Sequence, residues 1–448
     1  MKNDSRLFYQ TRQRRPVLER AEGVYLWDVS GKRYLDGSSG AMVSNIGHSN
    51  PRVLAAMQEQ MGKSTFGYRL HFETNPAEDL AAALAARAPD GLERVFFVSG
   101  GSEAVESAIK LARQYTVKTG AAQRWKVISR QPSYHGSTLG ALSLTGYAPL
   151  TATYDAMMRP MPKIPAPRAY LEGLDAALES TGQHYAAMLE DRILAEGPET
   201  VLAFIHEPVG GASTGALVPP AGYMQRIREI CDKYDVLLIH DEVMSGVGRT
   251  GRFFAGEHWD VAPDIITLSK GIGGGYVPLG AMIAHEKIIG PVLETGGFSH
   301  GFTYAGNPLA CAAGLEIIKE IEREGLVENA AKMGALLKAQ LEGLMARYPF
   351  IGDVRGLGLL MAFELVSDRE TMTPLPKGLN AYDRLVDMAY DKGLIIYSRR
   401  TRGGHEGDHF MVCPPMIVTE DQIGEIMKML TEALDEFAAE AGLPTANP

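Results

Sequence analysis

This sequence is poor in the features that would mark a secreted, metal-bound, membrane-spanning or nucleic-acid-binding protein. It has only three cysteines, Cys231, Cys311 and Cys413. Neither these nor the eleven histidines recur at metal-ligand spacing, and an odd, scattered set of thiols points to a reducing compartment. No apolar stretch approaches the roughly 20 residues needed to cross a bilayer. The basic N-terminal tract lacks the apolar core of a secretory signal; a transit peptide stays open, with Asp4 and Glu19 weighing slightly against it. Positive charge is in deficit: 54 acidic against 44 basic residues leave a net charge of −10. Such a surface repels the phosphates of nucleic acid and of anionic membranes. The glycine spacing fits neither the dinucleotide fingerprint nor the Walker lysine loop. Internal repeats and low-complexity linkers are also missing. What remains is a cytoplasmic enzyme acting on small molecules.

Hydrophobic residues at 45% and charged residues at 22% are ordinary for a globular chain, and 448 residues suit one large domain plus a lesser one. Short apolar runs alternate with helical patterns between about residues 80 and 310. The runs at 94–98, 126–129, 202–206, 236–240, 264–268 and 279–284 are continuously apolar, as in a parallel sheet covered on both faces. Between them, Ala104, Val105, Ala108, Ile109 and Ala112 recur at helical spacing. Residues 23–40 read as a hairpin about a Ser30-Gly31 turn, 308–348 as one long helix and 352–366 as antiparallel strands. A final helix opens on the capping box Thr419 to Gln422. The fold class is therefore α/β. A mainly parallel central sheet would occupy a large domain at 61–305, and segments 1–60 and 306–448 would together build a smaller α+β domain. Ligands of open α/β sheets sit beyond the carboxyl ends of the strands.

Chemistry concentrates at those ends. In VSGGSEAVESAIKLAR (98–113) a strand stops, Gly100 and Gly101 turn, and Ser102 starts a helix whose free N–H groups and dipole suit a phosphate. A plain tight turn capped by Ser102 would read the same way. In SYHGST (133–138), Tyr134 could lie over a planar ring or pack in the core, with His135 beside it. In VLLIHDEVMSGVGRTG (236–251) a buried strand carries the carboxylates Asp241 and Glu242 at its tip. Lys270 follows another apolar strand and precedes five glycines within ten residues; a desolvated lysine there becomes a nucleophile able to form a Schiff base. A phosphate cup, an aromatic plate, an anion and an amine at neighbouring strand tips are together the requirements of pyridoxal 5′-phosphate (PLP). The carboxylate explains itself: an ion pair at ~4 Å and an effective dielectric of about 20 is worth roughly 4 kcal/mol before desolvation, enough to keep a pyridine nitrogen protonated. Asp241, shorter and at the strand end, suits this better than Glu242.

These segments, with EGVYLWDVSGKRYLDGSSG (22–40), HEPVGG (206–211), HGFTYAGNPLACAAG (300–314), VRGLGLLMAFEL (354–365) and CPPMIVTEDQI (413–423), resemble the class III aminotransferases, PLP enzymes of fold type I. The resemblance spans almost the whole chain. It implies Lys270 as the lysine bound to the cofactor and the base that shifts the proton, and Asp241 as partner of the pyridine nitrogen. Tyr134 and Val243 would flank the ring, with Gly100, Gly101, Ser102, His135 and Glu207 also around the cofactor. Thr303 would reach the phosphate of a neighbouring subunit, which implies a homodimer with sites at its interface and allows a tetramer.

Two departures bear on specificity. The phosphate turn reads Ser99-Gly100-Gly101-Ser102 where the family usually has Asn-Ser-Gly-Ser. Relatives acting on α-amino acids carry an arginine where this chain has Met411, so a carboxylate clamp would come from elsewhere. The run Arg399 to Gly404 reads as a loop in which Arg400 or Arg402 could swing toward a substrate; it is equally what a solvated surface run would look like. The implied activity is ping-pong transfer of an amino group from an ω-amino acid or amine to a keto acid such as pyruvate. The same scaffold supports decarboxylation of dialkylglycines, aminomutase, racemase and amine phospho-lyase chemistry. A catalytically silent binding subunit would lack the use that Lys270, Asp241 and Tyr134 imply.

Overall fold

The computed structural model describes residues 6–11 and 13–446. Near the N-terminus, strands β1 (Leu18–Glu22), β2 (Tyr25–Asp28) and β3 (Arg33–Asp36) form an antiparallel meander. Asp28 fixes its second turn by accepting hydrogen bonds from Ser30 and Lys32 N–H.

The central sheet follows: β4 (Arg94–Val98), β5 (Lys126–Gln131), β6 (Lys163–Pro165), β7 (Val201–His206), β8 (Leu237–Asp241), β9 (Ile265–Leu268) and β10 (Gly280–Ala284). Their spatial order is β4-β10-β9-β8-β7-β5-β6, parallel except for β10, which runs antiparallel to both neighbours. Every residue of β7, β8, β9 and β10 is buried, which is why their sequences are apolar runs, interrupted only by Thr267 and by His206, His240 and Asp241 at strand ends. One apolar cluster under the sheet gathers Val105, Ala108 and Leu111 of helix Gly101–Lys118; another gathers Tyr185, Leu189, Tyr223 and Ile227 of two helices. The short edge strand β6 carries too few residues for its pattern to stand out.

Toward the C-terminus the expected single helix is two, Pro308–Arg323 and Leu326–Arg347. Gly325 separates them at φ +58, a left-handed turn that glycine adopts without Cβ strain. Then come β11 (Ile351–Leu357), β12 (Leu360–Asp368), β13 (Thr373–Pro374), β14 (Leu394–Ile395), β15 (Tyr397–Arg402) and β16 (Glu406–Val412). β11, β12, β16 and β15 lie in that order in an antiparallel sheet, with β13 against β12. β14 instead pairs in parallel with β3, joining the two ends of the chain. Helix Glu420–Ala441 opens on the capping box of Thr419 and Gln422 and buries Ile423, Ile426, Leu430, Leu434 and Phe437. Among the described residues no helix is long and apolar enough to cross a membrane.

Candidate active site

The carboxyl ends of β7, β8 and β9 and the start of helix Gly101–Lys118 converge on a cavity of about 420 Å³. Gly101, Ser102, Tyr134, His135, Glu207, Asp241, Val243 and Lys270, all singled out in the sequence, line it.

Asp241 ends β8 as a buried carboxylate. His135 Nδ1 lies 2.7 Å from its Oδ2, while Oδ1 accepts from Thr267 Oγ1 and the Val243 N–H, both at 3.2 Å. Three partners thus hold the group in one orientation. His135 is itself held by a 2.9 Å bond from its N–H to Thr145 Oγ1, and its buried Nε2 has no partner among the described residues. Glu242 takes the other side of the strand, as alternation requires, and accepts hydrogen bonds from the Ala255 and Gly256 N–H groups. Burial pushes its carboxyl up to about 8, against those two bonds.

Lys270 opens the tight turn that follows β9, at φ +46. A non-glycine residue held in that region costs on the order of 1–3 kcal/mol and persists where its surroundings over-determine it. Burial pushes its amine down to about 8, while the charges of Asp241 and Glu207 pull the other way. Its Nζ forms no ion pair among the described residues. Glu207, at the end of β7, accepts from the Gly211 N–H at 3.0 Å and the Tyr134 N–H at 3.4 Å, and burial raises its pKa.

Gly100 is the N-cap and the helix begins at Gly101, so Ser102 lies in the first turn. Its Oγ accepts the Ser137 N–H at 2.9 Å instead of capping the helix. The first-turn N–H groups have no helical carbonyls to bond and face the cavity side with the positive end of the dipole. A Cβ on Gly101 would stand 2.8 Å from Val243 Cγ1, so only glycine lets the helix start approach this close. Tyr134 stands at the cavity wall, its hydroxyl 2.9 Å from Ser137 Oγ. Gly100 borders this turn without lining the cavity.

These features fit PLP: an unpaired amine of lowered pKa, an oriented carboxylate, a helix start free to take a phosphate, and an aromatic wall. When the cofactor is present, Lys270 would hold its aldehyde, Asp241 its ring nitrogen, and Gly101 and Ser102 its phosphate.

The arginines are placed differently from the sequence expectation. The run 397–402 is a strand, not a loop, with Gly403 and Gly404 forming its turn at φ +63 and +83. Alternation along it sends Arg399 to the cavity and Arg400 away. Arg400 Nε lies 3.1 Å from Asp408 Oδ1, with its guanidinium over the Tyr382 ring, and Arg402 donates to the Met372 carbonyl. Neither lines the cavity. Arg399 does, forms no ion pair among the described residues, and lies over the Tyr397 ring at 4.8 Å. Strand periodicity applied to 397–402 would have separated the two faces. Tyr147, Met244 and Tyr397 also line the cavity; lone aromatic and methionine residues gave no signal in the sequence. Met411 is buried in an apolar cluster. Thr303 is exposed and lies outside its own chain's cavity.

The comparison with known proteins agrees with this chemistry. Residues 9–434 match the family model for class-III aminotransferases. An uncharacterized aminotransferase of Bacillus subtilis is 39% identical over 94% of this chain and 95% of its own length. The putrescine–pyruvate aminotransferase of Pseudomonas aeruginosa is 36% identical over 94% of this chain and 91% of its own. The crystal structure of an omega transaminase from Pseudomonas jessenii in complex with PMP superposes with a TM-score of 0.89 at 36% identity, covering 96% of this chain and 94% of that one. With likeness of this extent added to a cavity built around an unpaired lysine and an oriented aspartate, the chain belongs to the class-III aminotransferases, enzymes that work with pyridoxal 5′-phosphate.

Proposed function

We propose that this aminotransferase takes its amino group from an amine or ω-amino acid and gives it to a keto acid such as pyruvate, in ping-pong order. One observation carries the reading: the Arg399 guanidinium, without a carboxylate partner among the described residues, lines the same cavity as Lys270. It can receive the carboxylate of a keto acid, while an uncharged donor leaves it alone. With methionine at 411, no second guanidinium is fixed there to demand an α-carboxylate. The putrescine–pyruvate relative supports an amine donor and pyruvate as acceptor. The relatives named above are aminotransferases, which favours amino transfer over the other chemistries of the scaffold.

Bound PLP supplies the electron sink. Lys270 would hold it and, as a free amine, would take a proton from the donor's amine-bearing carbon and later deliver one to the acceptor's carbon. An amine of lowered pKa suits both transfers near neutral pH. Asp241, oriented by His135 and Thr267, keeps a positive charge on the ring nitrogen. Tyr134 and Val243 would flank the ring, and Glu207 fixes the Tyr134 backbone.

The working unit in this reading is a cytoplasmic homodimer, able to pair into a tetramer, with Thr303 reaching the partner's phosphate site. Exposed Phe66, Leu70, Phe72 and Tyr304, the last beside Thr303, support a covered surface there. The division into 61–305 and a smaller domain from 1–60 and 306–448 is supported by the pairing of β3 with β14.

The test is purified protein loaded with PLP, an arylalkylamine donor and pyruvate. Stoichiometric alanine and ketone are expected; carbon dioxide or phosphate released without alanine would replace this reading with another chemistry of the scaffold.

A further inference from the structure

β15, which carries Arg399, is the outermost strand of its sheet, and such an edge leaves backbone groups without a strand partner. Here side chains from the other sheet's territory take them. The Arg400 N–H donates to Tyr147 Oη at 3.3 Å, and Arg168 Nη1 donates to the Thr401 carbonyl at 3.3 Å. These two bonds hold the first and the third peptide units after Arg399.

A second tie lies beneath. Glu364, fully buried on β12, accepts from Thr401 Oγ1 at 3.1 Å, Arg355 Nη2 at 2.9 Å and Tyr170 Oη at 2.9 Å. Arg355 also donates to the Thr214 carbonyl at 3.0 Å and lies over the Tyr170 ring at 4.3 Å. Arg168 and Tyr170 both belong to the segment just after β6, the edge strand of the central sheet. One short segment therefore grips the arginine's strand twice, through its backbone and through a buried carboxylate.

The geometry points to Arg168 and Tyr170 as positioning residues that set how Arg399 meets the substrate carboxylate. Neither lines the cavity; they reach β15 at the Thr401 carbonyl and, through Glu364, at the Thr401 hydroxyl. The inference rests on the reading that Arg399 binds the acceptor's carboxylate. Both oxygens of the buried Glu364 carboxylate are occupied, and losing one of its donors loosens the element it fixes. The consequence is selective: a loosened β15 blurs the position of one guanidinium, while Lys270 and Asp241, on the central sheet, stay in place.

The experiment uses the PLP-loaded enzyme with Arg168→Met, Arg168→Lys, Tyr170→Phe and, as control, Arg399→Ala. Arg168→Met and Tyr170→Phe are each expected to raise KM for pyruvate about fivefold, the worth of one hydrogen bond, with kcat and the KM of an arylalkylamine within about twofold. Arg168→Lys, which keeps a donor, should recover most of the loss. Amide hydrogen exchange read on the peptide covering 397–402 should speed up in both loosened variants, with or without cofactor. Unchanged exchange, or equal effects on donor and acceptor, overturns the inference. If Arg399→Ala raises the pyruvate KM and the other two do not, the inference fails alone. If Arg399→Ala leaves that KM unchanged, the reading of Arg399 falls and takes this one with it.

Discussion

β8 lies between β9 and β7 in the middle of the central sheet, and all five of its residues are buried; β15 is the outermost strand of its sheet, and only Thr401 of its six residues is buried. Both deliver a charged side chain to one cavity. On β8 the charge sits at the end of a run that cannot be anything but interior, so the strand's neighbours fix its place and hydrogen bonds from His135, Thr267 and Val243 fix its direction. On β15 the charges come as Arg399, Arg400 and Arg402, and only the register of a hairpin and the covering of its open edge decide which one faces in. A central strand holds chemistry by burial, whereas an edge strand needs contacts from outside its own sheet.

Replacing the central charge should have the largest effect. Asp241→Asn removes an interaction of roughly 4 kcal/mol, so kcat/KM should fall about a thousandfold in steady-state assays for every donor alike. A loss confined to keto acids would erase the distinction between the two strands.

Lys270 provides the second test, through stability rather than rate. Burial moves its amine from 10.5 to about 8, so the folded state prefers the neutral form. Below pH 8 the amine is charged in both states and its burial costs up to about 3 kcal/mol, at 1.36 kcal/mol per unit. Between 8 and 10.5 only the unfolded state keeps the proton, so stability rises with pH and the cost disappears. Cofactor-free Lys270→Met should therefore be more stable than the parent in urea melts at pH 7 and about equal near pH 10.5. A gap that stays constant with pH would show that the amine does not feel the interior.

At the edge the effect should be smaller and one-sided. Arg399→Ala should raise KM for pyruvate about 10- to 100-fold, the range of a charged hydrogen-bonded contact, and barely alter the KM of an uncharged amine. Arg400→Ala and Arg402→Ala should change either value by less than about threefold, since their guanidinium groups are occupied by Asp408 and the Met372 carbonyl. Equal losses at 399 and 400 would mean that the strand's facing is not fixed.

Much of this was legible beforehand. Six of the seven central strands were visible because a strand buried on both faces must be apolar throughout, and β6 was missed because three residues at an edge carry no such demand. The break in 308–347 hid in the single residue Gly325, whose left-handed turn leaves helix-favouring sequence on both sides. Lys270, Asp241 and the turn at 100–102 stood out because each places a polar group where an apolar run stops.

By itself the sequence determined which groups lie at strand ends, because backbone periodicity and burial write themselves into every residue of a covered strand. The choice of Arg399 over Arg400 and Arg402, the cavity walls at Tyr147 and Tyr397, and the ties from Arg168 and Tyr170 were decided only by the tertiary structure. The ties that fix β15 join segments 194 to 253 residues apart, and local pattern carries no information about which distant surface will cover an open edge.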